Sequence, residues 1–309
     1  FAAYAAIVGD AVGDRVARWC TVNEPWCASM LGYAGGQHAP GRQEPAAAVA
    51  AAHHLLYGHG LAVDALRSTV SAPNRELTLS LNPYPVVAVG DRPEDVDAAR
   101  RIDGLANRWW YDAVLRGSYP ADVVDDLASV TDLSFVLDGD LAVVSTPVDA
   151  LGLNYYRRYH VRHSPGASAV SEWPGSPDIE LVAPATATTD GGWPIEPGGL
   201  TEALQSVTRD YDPPPLYIHE NGAAFDEPVA DDERVAYLDG HLRAAHAAIE
   251  AGVDLRGYFV WSFLDNFEWA EGYTHRFGVV HVDFDTQVRT PKASARWYSS
   301  VVARNALDG

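Results

Sequence analysis

Residues 213–222 read Pro-Pro-Pro-Leu-Tyr-Ile-His-Glu-Asn-Gly. Three prolines launch an apolar run, and Asn221-Gly222 stops it just after a glutamate. A short apolar run bounded by Pro and Gly is the pattern of a strand covered on both faces. The same grammar recurs along the chain. Arg18-Trp19-Cys20-Thr21-Val22-Asn23 ends at Glu24-Pro25, and Leu77–Asn82 alternates at period two before Pro83. Val148–Tyr156 and Leu255–Phe263 complete a set of five strands. Helical stretches separate them. Pro45–Leu66 is rich in Ala, the strongest helix former. Pro93–Leu115 opens with a first-turn proline and ends before Gly117. Asp231–Glu250 opens with three acids and stops at Gly252. Residues 163–199 form a long Pro/Gly/Ser/Thr-rich connection, of a length that is usually functional inside a compact domain.

Strands alternating with helices predict parallel βαβ units in an α/β fold. Five such units could form an open doubly wound sheet, but no Gly-rich phosphate loop follows a strand. The other solution is the trailing part of an eight-stranded barrel. The opening stretch FAAYAAIVGDAVGDRVA reads as a helix already under way, without initiator Met or signal-peptide pattern. It favours the barrel, with roughly 90 residues (three βα units at about 30 each) expected ahead of it.

Composition narrows the function. With 22 Lys+Arg against 42 Asp+Glu, the 309-residue chain carries a net charge of −20, which argues against a phosphate-backbone partner. Only one basic residue is Lys, Lys292. No apolar run of about 18 residues offers a membrane span. Two cysteines, Cys20 and Cys27, make no disulfide framework and suit free thiols in a reducing, cytoplasmic setting. His53, His54 and His59 are the only histidine cluster, and their spacing does not align two ligands at i, i+4, so no metal and no cofactor is expected.

Two strands end in a glutamate beside an amide: Asn23-Glu24 and Glu220-Asn221. The glutamates are 196 positions apart (220 − 24), so only a tertiary fold can pair them. A barrel does so, because its strands' C-terminal ends share one mouth. Paired carboxylates there are what glycoside hydrolysis needs: one to protonate the leaving oxygen, one to attack the anomeric carbon or activate water. The segment Trp261-Ser262-Phe263-Leu264-Asp265-Asn266-Phe267-Glu268-Trp269 adds aromatics beside carboxylates, a composition suited to the apolar faces and hydroxyls of a sugar. Phe263 and Phe267 are expected to be core. Trp109-Trp110 are expected to pack helix on barrel, and Asp231-Asp232-Glu233 to be a solvated helix start.

The motifs TVNEPW (21–26), LGLNYY (151–156), YIHENG (217–222) and WSFLDNFEWAEGY (261–273), in this order, resemble glycoside hydrolase family 1, the retaining β-glucosidases. Weaker matches at 32–41, 107–120, 192–200 and 276–294 extend the resemblance over the whole chain. It implies a (β/α)8 TIM barrel, present here as strands four to eight in a single domain, 1–309. It implies Glu24 as general acid/base and Glu220 as nucleophile. Asn23 would contact the sugar 2-hydroxyl, and Tyr156 would hydrogen-bond the nucleophile. Trp261, Glu268 and Trp269 would form the platform and hydroxyl ligands of the glycone subsite. A separation of about 5–5.5 Å between the carboxyls is expected for retention. Glu268 and Glu271 would repel the phosphate of a 6-phosphosugar. The implied partner is a small-molecule β-glucoside or oligosaccharide, with no nucleic acid and no membrane; the oligomeric state is left open. A β-galactosidase, β-fucosidase or transglycosylase of the same family, and an inactive truncated chain, stay as alternatives. His219 departs from the family pattern and, on an alternating strand, is expected to face away from Glu220, towards the helices or the rim.

Overall fold

The computed structural model describes residues 1–167, 171–226 and 229–307. Its centre is a five-stranded, wholly parallel sheet: β1 (Arg18–Asn23), β2 (Glu76–Leu81), β4 (Ala150–Asn154), β7 (Leu216–Asn221) and β8 (Leu255–Val260), hydrogen-bonded in that order. All five coincide with the strands read from the sequence, shortened by one to three residues at some ends. β1 and β8 lie at the two edges.

Helices cover one face. α1 (Ala2–Val12) packs on α2 (Pro45–Thr69), which crosses from β1 to β2. Pro45 starts α2 in its first turn, and Ala48, Val49, Ala52 and Leu56 form its buried stripe. Gly60 on α2 permits contact with a neighbouring backbone, because a Cβ there would meet Val143 O at 1.9 Å. α3 (Pro93–Asp103) continues to Arg116 through π-helical turns on either side of a short α4 (Trp109–Tyr111), and Gly117 ends it at φ +64°. α5 (Ala121–Leu127) and α6 (Asp140–Val144) follow, and α7 (Pro197–Tyr211) and α8 (Asp232–Glu250) flank β7 in sequence. α9 (Ala293–Arg304) closes the described chain.

The main core lies between this helical layer and the sheet. Leu79, Leu151, Leu153, Leu216 and Ile218 from the strands meet Ala52 and Leu56 of α2, Leu200 and Leu204 of α7, and Ala244 and Ala248 of α8. Trp109 and Trp110 are buried in it, Trp109 stacked on Tyr119 at 3.7 Å, as a packing role requires.

The stretch 163–199 is not one irregular connection. β5 (Tyr159–His163) pairs in parallel with β3 (Val86–Ala88) and antiparallel with β6 (Ile179–Leu181), and α7 begins inside it at Pro197. Residues 168–170 lie outside the described residues. Short strands separated by Pro and Gly carry too few residues for a period to show. β9 (Val280–Val282) and β10 (Arg289–Pro291) form a hairpin before α9.

Three expectations fail here. Phe263 and Phe267 are not core: they are 72% and 59% exposed, because the chain has left β8 and carries them on the loop that follows. Asp231 is not solvated. It is buried, accepts from Arg234 Nη1 at 2.6 Å and from Ser294 Oγ at 2.6 Å, and so ties α8 to α9. His219 does not face the helices. β7 bulges opposite β4, where Leu153 pairs with Ile218 but Asn154 pairs with Glu220. The extra residue breaks alternation and leaves His219 on the inner face with Glu220. Its Nδ1 pairs with Ser80 Oγ at 2.5 Å. Gly152 opposite provides the room, since a Cβ there would meet the imidazole at 2.1 Å.

Candidate active site

The C-terminal ends of the five strands carry the chemistry. β1 is irregular like β7: between the pairs Cys20–Thr78 and Asn23–Ser80 it inserts one extra residue. Glu24 follows at φ +46°, a left-handed conformation uncommon for a non-glycine residue. Holding it there costs about 1–3 kcal/mol, a strain typical of functional positions. The bulges thus re-aim the two glutamates from helix-facing or edge positions into one mouth.

Amides and a phenol link them there. Asn154 Nδ2 donates to Glu24 Oε1 at 2.8 Å and to Asn23 Oδ1 at 2.9 Å. Asn23 in turn hydrogen-bonds Glu220. Tyr156 donates its O–H to Glu220 Oε2 at 2.7 Å, and its ring lies edge-on to Trp193 at 5.4 Å. Tyr155 points the other way and donates to Glu196 O at 2.7 Å. Cys27 Sγ donates to Glu24 Oε2 at 3.0 Å.

Burial pushes the Glu220 carboxyl up to about 7; repulsion by Glu24 adds to it, and hydrogen bonds from Tyr156 and Asn23 pull it back. Glu24 is also raised by burial, against hydrogen bonds from Cys27 and Asn154. Two desolvated carboxyls in one field oppose each other's ionisation.

The loop after β8 supplies the third acid. Glu268 is raised by burial, eased by a hydrogen bond from Trp261 and raised further by Glu24. Its Oε2 is buried without a protein partner, as is Asn154 Oδ1. Such orphaned acceptors call for a donor such as a ligand hydroxyl. Trp269 stands at the rim, 69% exposed, its ring stacked on His38 at 6.4 Å. Asp265, three residues before Glu268, is turned away into the scaffold. It accepts from Lys292 Nζ at 3.1 Å, Arg276 Nη1 at 2.9 Å and two backbone N–H groups.

The structure therefore gathers Asn23, Glu24, Tyr156, Glu220, Trp261 and Glu268 into one linked set and carries Trp269 on the same loop as Glu268. Reading by sequence missed Asn154 and Cys27 as members of the network. Asn154 shares the strand face of Tyr156, and Cys27 is three residues beyond Glu24 on the helical turn that follows, the spacing that makes neighbours. His53 and His59 are buried elsewhere, against Tyr119 with Asp140 and against Thr21. Among the described residues no group of three metal-type side chains assembles, and no helix is long and apolar enough to cross a membrane.

The family model described as glycosyl hydrolase family 1 matches residues 1–307. The chain is 46% identical over 313 residues to thermostable beta-glucosidase B of Thermobispora bispora, covering 99% of this chain and 63% of that protein. It is 41% identical to a bifunctional beta-D-glucosidase/beta-D-fucosidase of Bifidobacterium breve, covering 97% and 67%. The crystal structure of a psychrophilic beta-glucosidase from Micrococcus antarcticus superposes with a TM-score of 0.94 at 43% identity, over 99% of this chain and 69% of that one. The chain thus spans about two thirds of the length of these relatives. Such neighbours place its fold in the α/β class, of the (β/α)8 barrel type.

Proposed function

The chain belongs to glycosyl hydrolase family 1, and from that premise we propose that it carries the catalytic pair of a retaining beta-glucosidase. The single observation that supports this most directly is the linked pair Glu24–Asn154–Asn23–Glu220, with Tyr156 fixing Glu220 Oε2. We read the five-stranded sheet as strands four to eight of an eight-stranded barrel in one domain, 1–309. The edges of β1 and β8 are where the other strands would pair. Free Cys20 and Cys27 fit a cytoplasmic setting. The partner is a small-molecule β-glucoside.

The proton resides on Glu24. An O–H and an amide favour the ionised form of Glu220, whereas Glu24 has an amide and only a thiol, a weak donor. A Glu220 carboxylate oxygen attacks the anomeric carbon while the bond to the aglycone oxygen breaks and Glu24 transfers its proton to that oxygen. The product is a glycosyl ester of Glu220. Esterification discharges Glu220, removes its repulsion and lets the pKa of Glu24 fall, so Glu24 now accepts a proton from water as the water oxygen bonds the same carbon, the ester bond to Glu220 breaks and Glu220 leaves as a carboxylate. Glu268, Trp261 and Trp269 would hold the sugar: an acceptor for hydroxyls, indole faces for its C–H face.

The test is Glu24→Ala in the protein expressed from its complete reading frame. Loss of about 10²–10⁴-fold is expected for glucosides with poor leaving groups, and much less for activated aryl glucosides. Proton NMR should show the β-anomer of glucose as first product. An equal loss for both leaving-group classes, or an α-anomer, overturns the roles assigned. A β-fucosidase activity is the second reading, favoured by the Bifidobacterium breve relative; the ratio of fucoside to glucoside hydrolysis decides it.

A further inference from the structure

Cys27 opens the π-helical segment Cys27–Gly35, one turn after Glu24. Its sulfur is engaged from two sides. Asn82 Nδ2, at the end of β2, approaches Sγ at 3.5 Å and also donates to Tyr84 Oη at 3.3 Å. An amide N–H pointing at sulfur occupies its acceptor side, so the thiol proton is free to point elsewhere. The group on the other side is Glu24 Oε2, 3.0 Å away. The other Glu24 oxygen takes the Asn154 amide. Both oxygens of the general acid/base are thus held by donors of its own protein, and the carboxyl plane is fixed between β4 and the turn after β1.

We propose that Cys27 is a positioning residue for the acid/base: its thiol, oriented by Asn82, donates to Glu24 Oε2, fixes the carboxyl and steadies its ionised form in the water-consuming step. This rests on the reading of Glu24 as acid/base. The thiol itself stays protonated, because burial and then the charge of Glu24 push it well above its ordinary value. It is a donor and not a nucleophile. The charged and titratable groups that face Glu24 are Glu220 at the end of β7, Glu268 on the loop after β8, and the phenols Tyr156 and Tyr84; Arg157 acts on Cys27 and Tyr84. Glu220 and Glu268 oppose ionisation of Glu24 jointly, so a neutral donor matters here more than on an open surface.

A donor to the ionised form lowers the pKa of Glu24, and its removal raises it. The first step needs protonated Glu24, so the alkaline limb of kcat/KM should move to higher pH. The experiment compares wild type, Cys27→Ser and Cys27→Ala in the protein from its complete reading frame, on a β-glucoside with a poor leaving group. Cys27→Ala should move the alkaline limb up by about 0.5–1 pH unit, a 3- to 10-fold change in the protonated fraction beyond the limb. Cys27→Ser retains an O–H donor and should restore the wild-type limb. Asn82→Ala, which frees the thiol to turn, should shift it in the same direction by less, and serves where Cys27→Ala does not fold. Limbs that coincide in Cys27→Ala and wild type, or a shift in Asn82→Ala of opposite sign, overturn the inference while leaving Glu24 its role. Wild-type activity in Glu24→Ala overturns that role and this inference together.

Discussion

Asp265 and Glu268 are carboxylates three residues apart in one loop, yet their surroundings are opposite. Asp265 is buried between Lys292 and Arg276. Burial pushes its carboxyl up, but the two cations and backbone donors outweigh it and hold the pKa below the usual value. Lys292 is itself lowered by burial and by Arg234, so it depends on Asp265 as much as Asp265 depends on it. Glu268 faces Glu24 across the mouth with one oxygen unpartnered, and its pKa is raised. The same contrast separates the Asp231–Arg234 pair under α8 from the Glu24–Glu220 pair above β1 and β7. Where the fold needs cohesion, each acid has its cation. Where the site needs chemistry, acids are set against acids. Opposed acids of this kind cost stability, and they stand where the chemistry is.

The contrast breaks most visibly at Glu220. Glu220→Ala should lower kcat by more than the about 10²–10⁴-fold expected for an acid/base residue, since no covalent bond to the sugar can then form. Its thermal midpoint should not fall, and a melting curve alongside the assay checks both. Asp265→Asn should do the reverse. It leaves Lys292 buried against an amide and should cost about 3–5 kcal/mol in urea unfolding, while turnover per folded molecule falls far less than in Glu220→Ala. A variant as stable as wild type would erase the distinction between the two kinds of acid. The smallest effect concerns pH. Carboxyls whose folded pKa is raised favour the fold when protonated, so the joint contribution of the Glu24–Glu220 pair is best below the unfolded value of about 4.3 and declines as pH climbs above it. Glu220→Gln removes one of the two mutually repelling carboxylates and should therefore be more stable than wild type at pH 8, with the gap closing towards pH 4. Asp265 behaves oppositely: its support is present above about 3.9 and is lost as pH falls through its lowered folded value.

Much of the architecture is legible in the chain because it rests on local signals. Pro213-Pro214-Pro215 before Leu216 and Asn221-Gly222 after Glu220 mark β7 at both ends, and the first-turn prolines Pro45 and Pro93 mark α2 and α3. Phe263, Phe267, Asp231 and His219 were placed wrongly for one reason. Composition says that a Phe prefers burial and an Asp prefers water, and alternation says which way a strand residue points. None of these sees a loop that leaves the sheet, a cation arriving from Arg234, or a bulge that inserts one residue into β7.

The linear order of residues settled which groups could do chemistry: glutamates at the ends of apolar strands, with amides, a tyrosine and indoles close by. That much is local, because it depends on residue type and on Pro, Gly and Asn punctuation. Only the tertiary structure decided which acids meet acids and which meet cations. Ionisation responds to desolvation and to charges within several ångströms in space, and Glu24, Glu220, Lys292 and Arg276 come within that reach of their partners only once the strands are laid side by side.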